Sequence, residues 1–283
     1  MSLIDLHTHS AVSDGTEPPA AVIEQARRSG VDVIALTDHD TDRGIAQARG
    51  AARSAGLGFL PGMEVSAKLN GRSIHILALG NTPAPGSAFA AKLDEVRESR
   101  ERRAQRIVER LSEDFPITWE AVLDTESSRD VSVASVGRPH IADALTRAGV
   151  VSGRAEAFAH LLAPHSPYYV PYRALEAEDA IAGIHASGAL AVGAHLMTRT
   201  RGKGLDSDGC QELIDCGLDG LEIFHREHGE AERAALAAIA RERNLIVTGG
   251  SDYHGSGKPN RLGENTTSDE NLARILAATS ARL

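Results

Sequence analysis

Short apolar runs alternate with helical patterns along most of this chain. The apolar runs have the length of strands and cover residues 31–36, 57–61, 73–79, 189–194, 220–224 and 245–248. Alanine-rich segments with apolar residues at helical spacing lie between them, as in 18–29, 45–55 and 231–243. Such alternation predicts a parallel sheet, either open or closed into a barrel. One exception is predicted at Asn70-Gly71, because this dipeptide favours a hairpin turn between the antiparallel strands 63–67 and 73–79.

The middle of the chain follows a different pattern. One long charged helix is predicted from about Gly86 to Leu111, and several shorter helical patterns without a strand follow over 119–162. The segment 163–173 places three prolines among three tyrosines, which resists helix formation and suits an extended lid or return segment. The alternating pattern resumes near Glu176. This organisation predicts a helical insertion in a larger α/β domain.

Composition narrows the classes of function. A chain of 283 residues with 42% hydrophobic content can bury a substantial core. Its net charge of −9 disfavours a broad electrostatic hold on duplex nucleic acid, so any phosphate site must be local. The only cysteines, Cys210 and Cys216, lack the spacing of a disulfide framework or a C-x-x-C pair, which favours a reduced, cytoplasmic setting. We expect no export signal and no membrane span, since no window holds 18 consecutive apolar residues.

Histidines and acidic residues stand at or just after the ends of nearly every apolar run. They are His7, His9, Asp14, Asp38, His39, Glu64, His75, His195, Asp252 and His254. Each one alone is equally well explained as a turn residue or a strand-end polar group. Together they favour a metal site, because the carboxyl ends of parallel strands in a barrel share one face. His7 and His9 are two apart, which directs both imidazoles to the same side of a strand.

The donor types indicate which metals and which chemistry to expect. Imidazole and carboxylate ligands without thiolate suit manganese, iron or zinc. So many donors exceed the needs of one ion, so we expect two or three divalent ions with a carboxylate bridging a pair. Such clusters suit phosphoester hydrolysis, in which the metals activate water and hold the phosphoryl oxygens. No nucleophile elbow and no P-loop pattern occurs in the sequence.

Six short motifs carry these residues in a fixed order. They are Asp5-Leu6-His7-Thr8-His9-Ser10, Thr37-Asp38-His39-Asp40, Gly62-Met63-Glu64-Val65, His75-Ile76-Leu77, Ala194-His195 and Gly250-Ser251-Asp252-Tyr253-His254. Together they resemble the motifs of the PHP family, the polymerase and histidinol phosphatase group of metal-dependent phosphoesterases. One departure is Leu196, since the family commonly has proline after the histidine of the fifth motif.

The resemblance implies a fold, a domain arrangement and a ligand set. The fold would be α/β, a distorted (β/α)7 barrel of the PHP type, related to amidohydrolases, with a helical insertion subdomain. Residues 1–98 and 176–283 would form the barrel, and 99–175 would form the insertion that covers the active site. His7, His9, Glu64 and Asp252 would hold one metal, and Glu64 would bridge to a second held by His75 and His195. Asp14, His39 and His254 would hold a third. Manganese is the metal that we expect first, with iron and zinc as alternatives.

Two further segments suggest the substrate. Residues 135–142 (SVGRPHIA) and Tyr169-Val170-Pro171-Tyr172 resemble the bacterial subgroup of nucleoside 3′,5′-bisphosphate phosphatases, which includes members that degrade short RNA from the 5′ end. This favours removal of the 3′-phosphate by a hydroxide held between metals, to leave a nucleoside 5′-monophosphate. The alternatives are a 5′-to-3′ exonuclease on short RNA, another phosphomonoesterase such as a histidinol-phosphate phosphatase, and a non-enzymatic metal-binding regulatory module. The negative charge favours small substrates over long strands.

Five residues are candidates for substrate contact. Arg138 could clamp a phosphate, and His140 could bond a phosphate or the leaving oxygen, so both are predicted to be catalytic. Arg138 could equally be a surface charge at a helix start. Arg100 and Arg103 could face the cleft, although a solvated helix face is the commoner case for such residues. Arg199, in a basic run after His195, could grip a phosphate or lie on a mobile surface loop.

Overall fold

The computed structural model describes residues 2–124, 135–198, 204–279 and 281–283. Within these ranges the strands are β1 Ile4–Asp5, β2 Val33–Leu36, β3 Gly58–Leu69, β4 Arg72–Leu79, β5 Leu175–Glu176, β6 Leu190–Ala194, β7 Gly220–Phe224 and β8 Ile246–Gly249. The helices are α1 Pro19–Arg28, α2 Ile45–Ala55, α3 Ala88–Leu111, α4 Trp119–Leu123, α5 Arg138–Arg147, α6 Arg154–His160, α7 Ala177–Ala186, α8 Ser207–Asp215, α9 Glu230–Glu242 and α10 Asp269–Thr279.

The strands form one sheet that nearly closes into a barrel. Its order is β1-β2-β3-β4-β6-β7-β8, with β5 pairing in parallel on the far half of β3. The pairs β3–β4 and β4–β6 are antiparallel, and the other pairs are parallel. The first and last strands approach each other, because Thr8 pairs with Tyr253 and the Leu6 N–H donates to the Gly249 carbonyl at 3.4 Å. The predicted α/β barrel is therefore confirmed.

The hairpin predicted at Asn70-Gly71 joins β3 to β4. Both residues have positive φ, 51° and 76°, which matches the twist of a tight hairpin, and Leu69 pairs directly with Arg72. The strand before the turn is longer than the apolar runs suggest, since 58–61 and 63–67 belong to a single strand, β3. Gly62 joins them because a side chain there would meet Thr37 Cγ2 at 2.9 Å and the Ala78 carbonyl at 3.0 Å.

Local sequence explains where the helices begin and end. The first helix, α1, has Pro19 just inside its start, where the missing N–H costs nothing. The second, α2, ends at Gly56, whose φ of 71° closes the helix in the left-handed conformation. The long helix α3 is capped by Ser87, whose side chain accepts the Ala90 N–H at 3.2 Å.

The helical middle of the chain packs around a hydrophobic core of its own. The C-terminal half of α3 contributes Ile107 and Leu111 to this core, and α5 contributes Ile141 and Leu145. Residues 163–174 carry no helix, as their prolines predict, and lead into β5. The boundaries proposed for the two domains stay a prediction.

Two global properties follow from the described ranges. No helix within them combines the length and the apolar character needed to cross a bilayer. Cys210 and Cys216 are both free thiols, and burial raises the pKa of Cys210 to about 12.

Candidate metal centre

The nine predicted metal ligands converge on one end of the barrel. His7, His9 and Asp14 follow β1, His39 follows β2, His195 follows β6, and Asp252 and His254 follow β8. Glu64 and His75 lie inside β3 and β4 rather than at strand ends, because this antiparallel pair extends past the rest of the sheet. All nine side chains are buried except that of His75, which is 19% exposed.

His7, His9, Glu64 and Asp252 form the first group. The Nε2 atoms of His7 and His9 lie 3.2 Å apart and are 3.4 and 3.0 Å from Glu64 Oε2. Asp252 Oδ1 is 3.5 Å from His7 Nε2 and 3.4 Å from His9 Nε2. Ligands bonded at about 2.1 Å to one tetrahedral ion lie about 3.4 Å from each other, so these four fit a single cation.

His39, Glu64 and His75 form the second group. His75 Nδ1 is 2.7 Å and His195 Nε2 is 2.9 Å from Glu64 Oε1, while His39 Nδ1 is 3.3 Å from Glu64 Oε2. Glu64 Oε1 therefore faces His75 and His195, while Oε2 faces the first group and His39. This is the bridging position that the family resemblance implies.

His9, Asp14, His39 and His254 form the third group. His254 Nε2 is 3.0 Å from Asp14 Oδ1, and His39 Nε2 is 3.6 Å from Asp14 Oδ2. His39 thus lies between the second and third groups, and His9 between the first and third. The family pattern implies that His9 belongs to the first metal and His39 to the third, whereas here each of these imidazoles lies within reach of two groups.

Several nitrogen and oxygen atoms that could bind a metal ion are buried without a hydrogen bond of acceptable geometry. They are His9 Nδ1, Asp14 Oδ1, His39 Nδ1, His75 Nδ1 and His254 Nε2, as judged among the described residues. His75 Nδ1 fails this test although Glu64 Oε1 is only 2.7 Å away. Short contacts without hydrogen-bond alignment are expected when lone pairs point at a common centre instead of at each other. The residues present therefore fit divalent cations.

The electrostatics of the cluster also favour cations. Burial alone would raise the pKa of Glu64, but His39, His75 and His7 hold it well below its usual range. Burial would lower the pKa of His9, yet hydrogen bonds with Asp252 and Glu64 raise it to about 9. Burial and the nearby Lys258 lower the pKa of His254 to about 4. Without metal, protons on imidazoles therefore supply part of the positive charge that the carboxylates require.

The backbone is strained at two of these positions. His195 and Asp252 have φ values of 35° and 54°, and Asp40, beside His39, has 55°. Non-glycine residues adopt such values rarely, and mostly where surrounding contacts hold them. Asp38, which precedes His39, accepts from the Ser10 N–H at 2.8 Å and from both the Ser10 and Ser13 hydroxyls at 2.6 Å. Asp38 therefore organises the loop after β1 that contains Ser10 and Ser13.

Three residues near the centre were not recognised from the sequence. Glu222, inside β7, lies 2.9 Å from His7 Nδ1, and although burial would raise its pKa, His7 and His225 lower it to about 2. His225 Nε2 is 3.5 Å from Asp252 Oδ2, and Lys258 Nζ is 2.7 Å from the same oxygen. An acidic residue within an otherwise apolar strand is the signal that could have revealed Glu222.

Arg100 and Arg103 of α3 do not form a solvated helix face. Arg100 Nη1 donates to Asp40 Oδ2 at 2.9 Å and to Ser66 Oγ at 2.8 Å. Arg103 is 9% exposed and lies between the rings of Tyr169 and Tyr172, with its guanidinium carbon 5.1 and 4.9 Å from their centroids. Both arginines therefore lie inside the protein, between the helical segment and the barrel.

Arg138 and His140 lie at the start of α5. Arg138 Nη1 donates to the Leu162 carbonyl at 2.9 Å and the guanidinium stacks 5.1 Å from the Phe158 centroid. Burial, together with Arg103, lowers the pKa of Arg138 to about 10, and its side chain is partly enclosed instead of fully solvated. His140 is buried, and its Nδ1 accepts the Gly137 N–H at 3.1 Å. The remaining candidate, Arg199, lies outside the described residues.

Comparison with known proteins agrees with this geometry. A sequence model of the PHP domain matches residues 5–116. A 3′,5′-nucleoside bisphosphate phosphatase of Chromobacterium violaceum is 33% identical over 92% of this chain and 90% of its own length. A phosphoribosyl 1,2-cyclic phosphate 1,2-diphosphodiesterase of Eggerthella lenta is 35% identical, covering 89% of this chain and 94% of its own. The 5′-3′ exoribonuclease Rnm of Escherichia coli is 34% identical, covering 89% and 85%.

A solved structure of similar fold extends the comparison. It belongs to a candidate metal-dependent phosphoesterase of Bifidobacterium adolescentis, with a TM-score of 0.91 and 41% identity over 97% of this chain and 96% of that one. The barrel and its three groups of imidazoles and carboxylates define the class of metal-dependent phosphoesterases. Within that class, the chain belongs to the PHP family.

Proposed function

We propose that this phosphoesterase removes the 3′-phosphate from nucleoside 3′,5′-bisphosphates and leaves the 5′-monophosphate. The observation that carries the proposal is a set of three largely enclosed guanidiniums, those of Arg100, Arg103 and Arg138. Arg100 reaches Asp40, which is adjacent to His39 of the metal groups, and Arg103 and Arg100 both affect the pKa of Arg138. Such a set suits a substrate with a second phosphate that the metals do not need to hold.

The charges in this region are unbalanced. Arg100 is paired with Asp40. Among the residues that the structure describes, Arg103 and Arg138 contact carbonyl oxygens and aromatic side chains, including a hydrogen bond between Arg103 and Tyr169, but no carboxylate. Buried cations without a counter-charge are costly, and a bound phosphate dianion would supply that charge. Arg103 and Arg138 lie close enough to affect each other. Burial lowers the pKa of Arg138 most, and the positive charge of Arg103 lowers it further.

His140 is suited to bond a phosphate oxygen. Because its Nδ1 accepts the Gly137 N–H, its Nε2 carries the hydrogen and can donate. Burial lowers the pKa of His140, which keeps the ring neutral at pH 7. We propose that His140 orients the scissile phosphoryl group or the leaving oxygen, while Arg138 balances charge on the 5′-phosphate.

The nine side chains of the metal centre would hold two or three divalent ions, with manganese expected first and iron or zinc as alternatives. When bound, these ions supply Lewis acidity toward the phosphoryl oxygens and activate water. The reduced, cytoplasmic setting stays an expectation that the two free thiols suit.

The second candidate is 5′-to-3′ exonuclease action on short RNA, which the name of the Escherichia coli relative favours. Release of a 5′-monophosphate from RNA breaks the same bond between phosphorus and O3′ as the bisphosphatase reaction. A 5′-phosphorylated nucleotide with a phosphoryl group on O3′ is thus the common element of both substrates, and the arginine set would recognise its 5′-phosphate.

Substrate comparison tests the proposal. The purified protein with Mn²⁺ is assayed with a nucleoside 3′,5′-bisphosphate, a nucleoside 3′-monophosphate, a 5′-phosphorylated RNA trimer, the 1,2-cyclic phosphate of phosphoribose and histidinol phosphate. We expect kcat/KM to be highest for the bisphosphate. Equal kcat/KM for the bisphosphate and the 3′-monophosphate would refute a role for the second phosphate.

Variants of one helix connect this preference to Arg138. Arg138→Ala should lower kcat/KM for the bisphosphate about 10- to 100-fold, as expected for loss of a charged hydrogen bond, and should affect the 3′-monophosphate much less. Arg147→Ala, an exposed arginine of the same helix, is the matched control. An equal loss on both substrates would mean that Arg138 does not bind the 5′-phosphate.

A further inference from the structure

Among β6, β7 and β8, β7 is the one strand that no predicted metal ligand follows, since His195 follows β6, and Asp252 and His254 follow β8. Its central residue, Glu222, is nevertheless a carboxylate with no exposed side-chain surface, between the apolar residues Leu221 and Ile223. A buried carboxylate is expensive unless each oxygen is satisfied, so its partners indicate its purpose.

Each oxygen of Glu222 serves a different metal group. His7 Nδ1–H donates to Oε1 at 2.9 Å, which leaves Nε2 of the same ring directed at His9, Glu64 and Asp252 in the first group. The backbone N–H of His195 donates to Oε2 at 2.9 Å. The His195 side chain in turn places Nε2 at 2.9 Å from Glu64, in the second group.

The contact to His195 holds a strained residue in place. With φ at 35°, His195 has a backbone conformation that a non-glycine residue adopts only when its surroundings impose it. Glu222 accepts the N–H of that very residue. The same carboxylate therefore fixes the ring orientation of His7 and the backbone from which the His195 ring projects.

We propose that Glu222 is a positioning residue that sets the geometry of two metal sites at once, through His7 for the first and through the His195 backbone for the second. This inference rests on the metal centre of the proposed function and is independent of which phosphoester is cleaved. Carboxylates that hold metal-binding histidines in this way typically change metal affinity 10- to 100-fold when removed.

The test compares Glu222→Gln with the wild-type protein. Glutamine keeps the volume and one acceptor for His7, but it turns an amide donor toward the His195 N–H. We expect Mn²⁺ binding, measured by calorimetry and by metal content after dialysis, to weaken about 10- to 100-fold. The kcat should recover at high Mn²⁺ with KM unchanged, a response that general loss of structure would not give.

Two further variants keep the outcome decisive. Glu222→Asp retains the charge on a shorter side chain and should bind Mn²⁺ with an affinity between those of Glu222→Gln and the wild type. If Glu222→Gln fails to fold, Glu222→Asp alone still tests the proposal. Thr248→Val, buried opposite Glu222 on β8, is the control and should bind Mn²⁺ like the wild type. Wild-type affinity in both Glu222 variants, or an equal loss in Thr248→Val, overturns the proposal. A wild-type protein that binds no Mn²⁺ would instead refute the metal centre itself.

Discussion

Replacing Arg154 with alanine should loosen the contact between the helical segment and the loop that carries Asp14. Arg154, the first residue of α6, donates from Nε and Nη2 to the two carboxylate oxygens of Asp143, both at 2.7 Å. Its Nη1 donates to the backbone carbonyl of Asp14 at 3.0 Å. The Arg154 and Asp143 side chains are only 14% and 27% exposed, so solvent screens this pair incompletely.

The magnitude follows from the three hydrogen bonds. A partly buried bidentate pair contributes about 1–2 kcal/mol, above the range of exposed pairs. Loss of the donor to the Asp14 carbonyl adds about 1 kcal/mol. Arg154→Ala should therefore lower the free energy of unfolding by about 2–3 kcal/mol. Because Asp14 belongs to the third metal group, roughly 1.4 kcal/mol of lost positioning would weaken that metal about tenfold.

The chain offers a direct probe for this experiment. Trp119 is the only tryptophan and packs on the core of the helical segment, so its fluorescence during urea unfolding reports on that segment. Arg147→Ala removes an exposed arginine from α5 whose Nη2 donates to the Ala121 carbonyl. It should lower the free energy of unfolding by no more than about 1 kcal/mol and leave the metal content unchanged. Asp143→Asn should lose only the contribution of the ion pair.

Two results would contradict this reasoning. Unchanged urea unfolding and unchanged Mn²⁺ content in Arg154→Ala would mean that the contact has no energetic role. Equal loss of metal in Asp143→Asn and Arg154→Ala would mean that the effect does not pass through the Asp14 carbonyl.

Three further predictions concern the metal centre and the hairpin. Asp252→Ala should abolish turnover while circular dichroism shows a folded protein; turnover by metal-free enzyme would contradict the metal mechanism. Loading Mn²⁺ at pH 7 should release protons and tighten as pH rises toward 9, because hydrogen bonds with Asp252 and Glu64, acting against burial, raise the pKa of His9 to about 9 and only neutral imidazole binds metal. Calorimetry in buffers of different ionisation enthalpy measures this release, and its absence would show that His9 is not a ligand. Gly71→Ala, at φ 76° with open space around it, should cost about 1 kcal/mol in urea unfolding and leave kcat unchanged; a larger loss would mean that the turn has contacts beyond its backbone.

The barrel could be predicted from the sequence because the patterns that specify its strands and its hairpin each lie within a few consecutive residues. Strands such as β7 and β8 read as short apolar runs, and the hairpin is specified by Asn70-Gly71 alone. The extent of β3 could not be predicted, since Pro61-Gly62 has the appearance of a break. Only the approach of Thr37 and Ala78 explains why glycine continues that strand.

The metal centre could also be predicted from the sequence only in part. Ordered motifs placed the nine candidate ligands, and which of them bind metal stays a prediction. Glu222 was not recognised because the periodicity of a strand predicts which residues are buried but not what an acidic side chain contacts there. Arg100 and Arg103 were candidates from the sequence, but their burial could not be predicted. The α3 helix carries arginine on several faces, so spacing alone could not show that these two are enclosed while Arg102 is exposed.

The junction of the first and last strands has a consequence for biosynthesis. The Asp252 N–H donates to the His7 carbonyl and the His9 N–H to the Tyr253 carbonyl, both at 2.8 Å, so ligands from the two ends of the barrel are assembled side by side. On the ribosome, His7 and His9 are made before Asp252 and His254, so they must wait for these partners until strands β2 to β8 have been synthesised. A nascent chain stalled before residue 252 therefore cannot yet complete the first metal group.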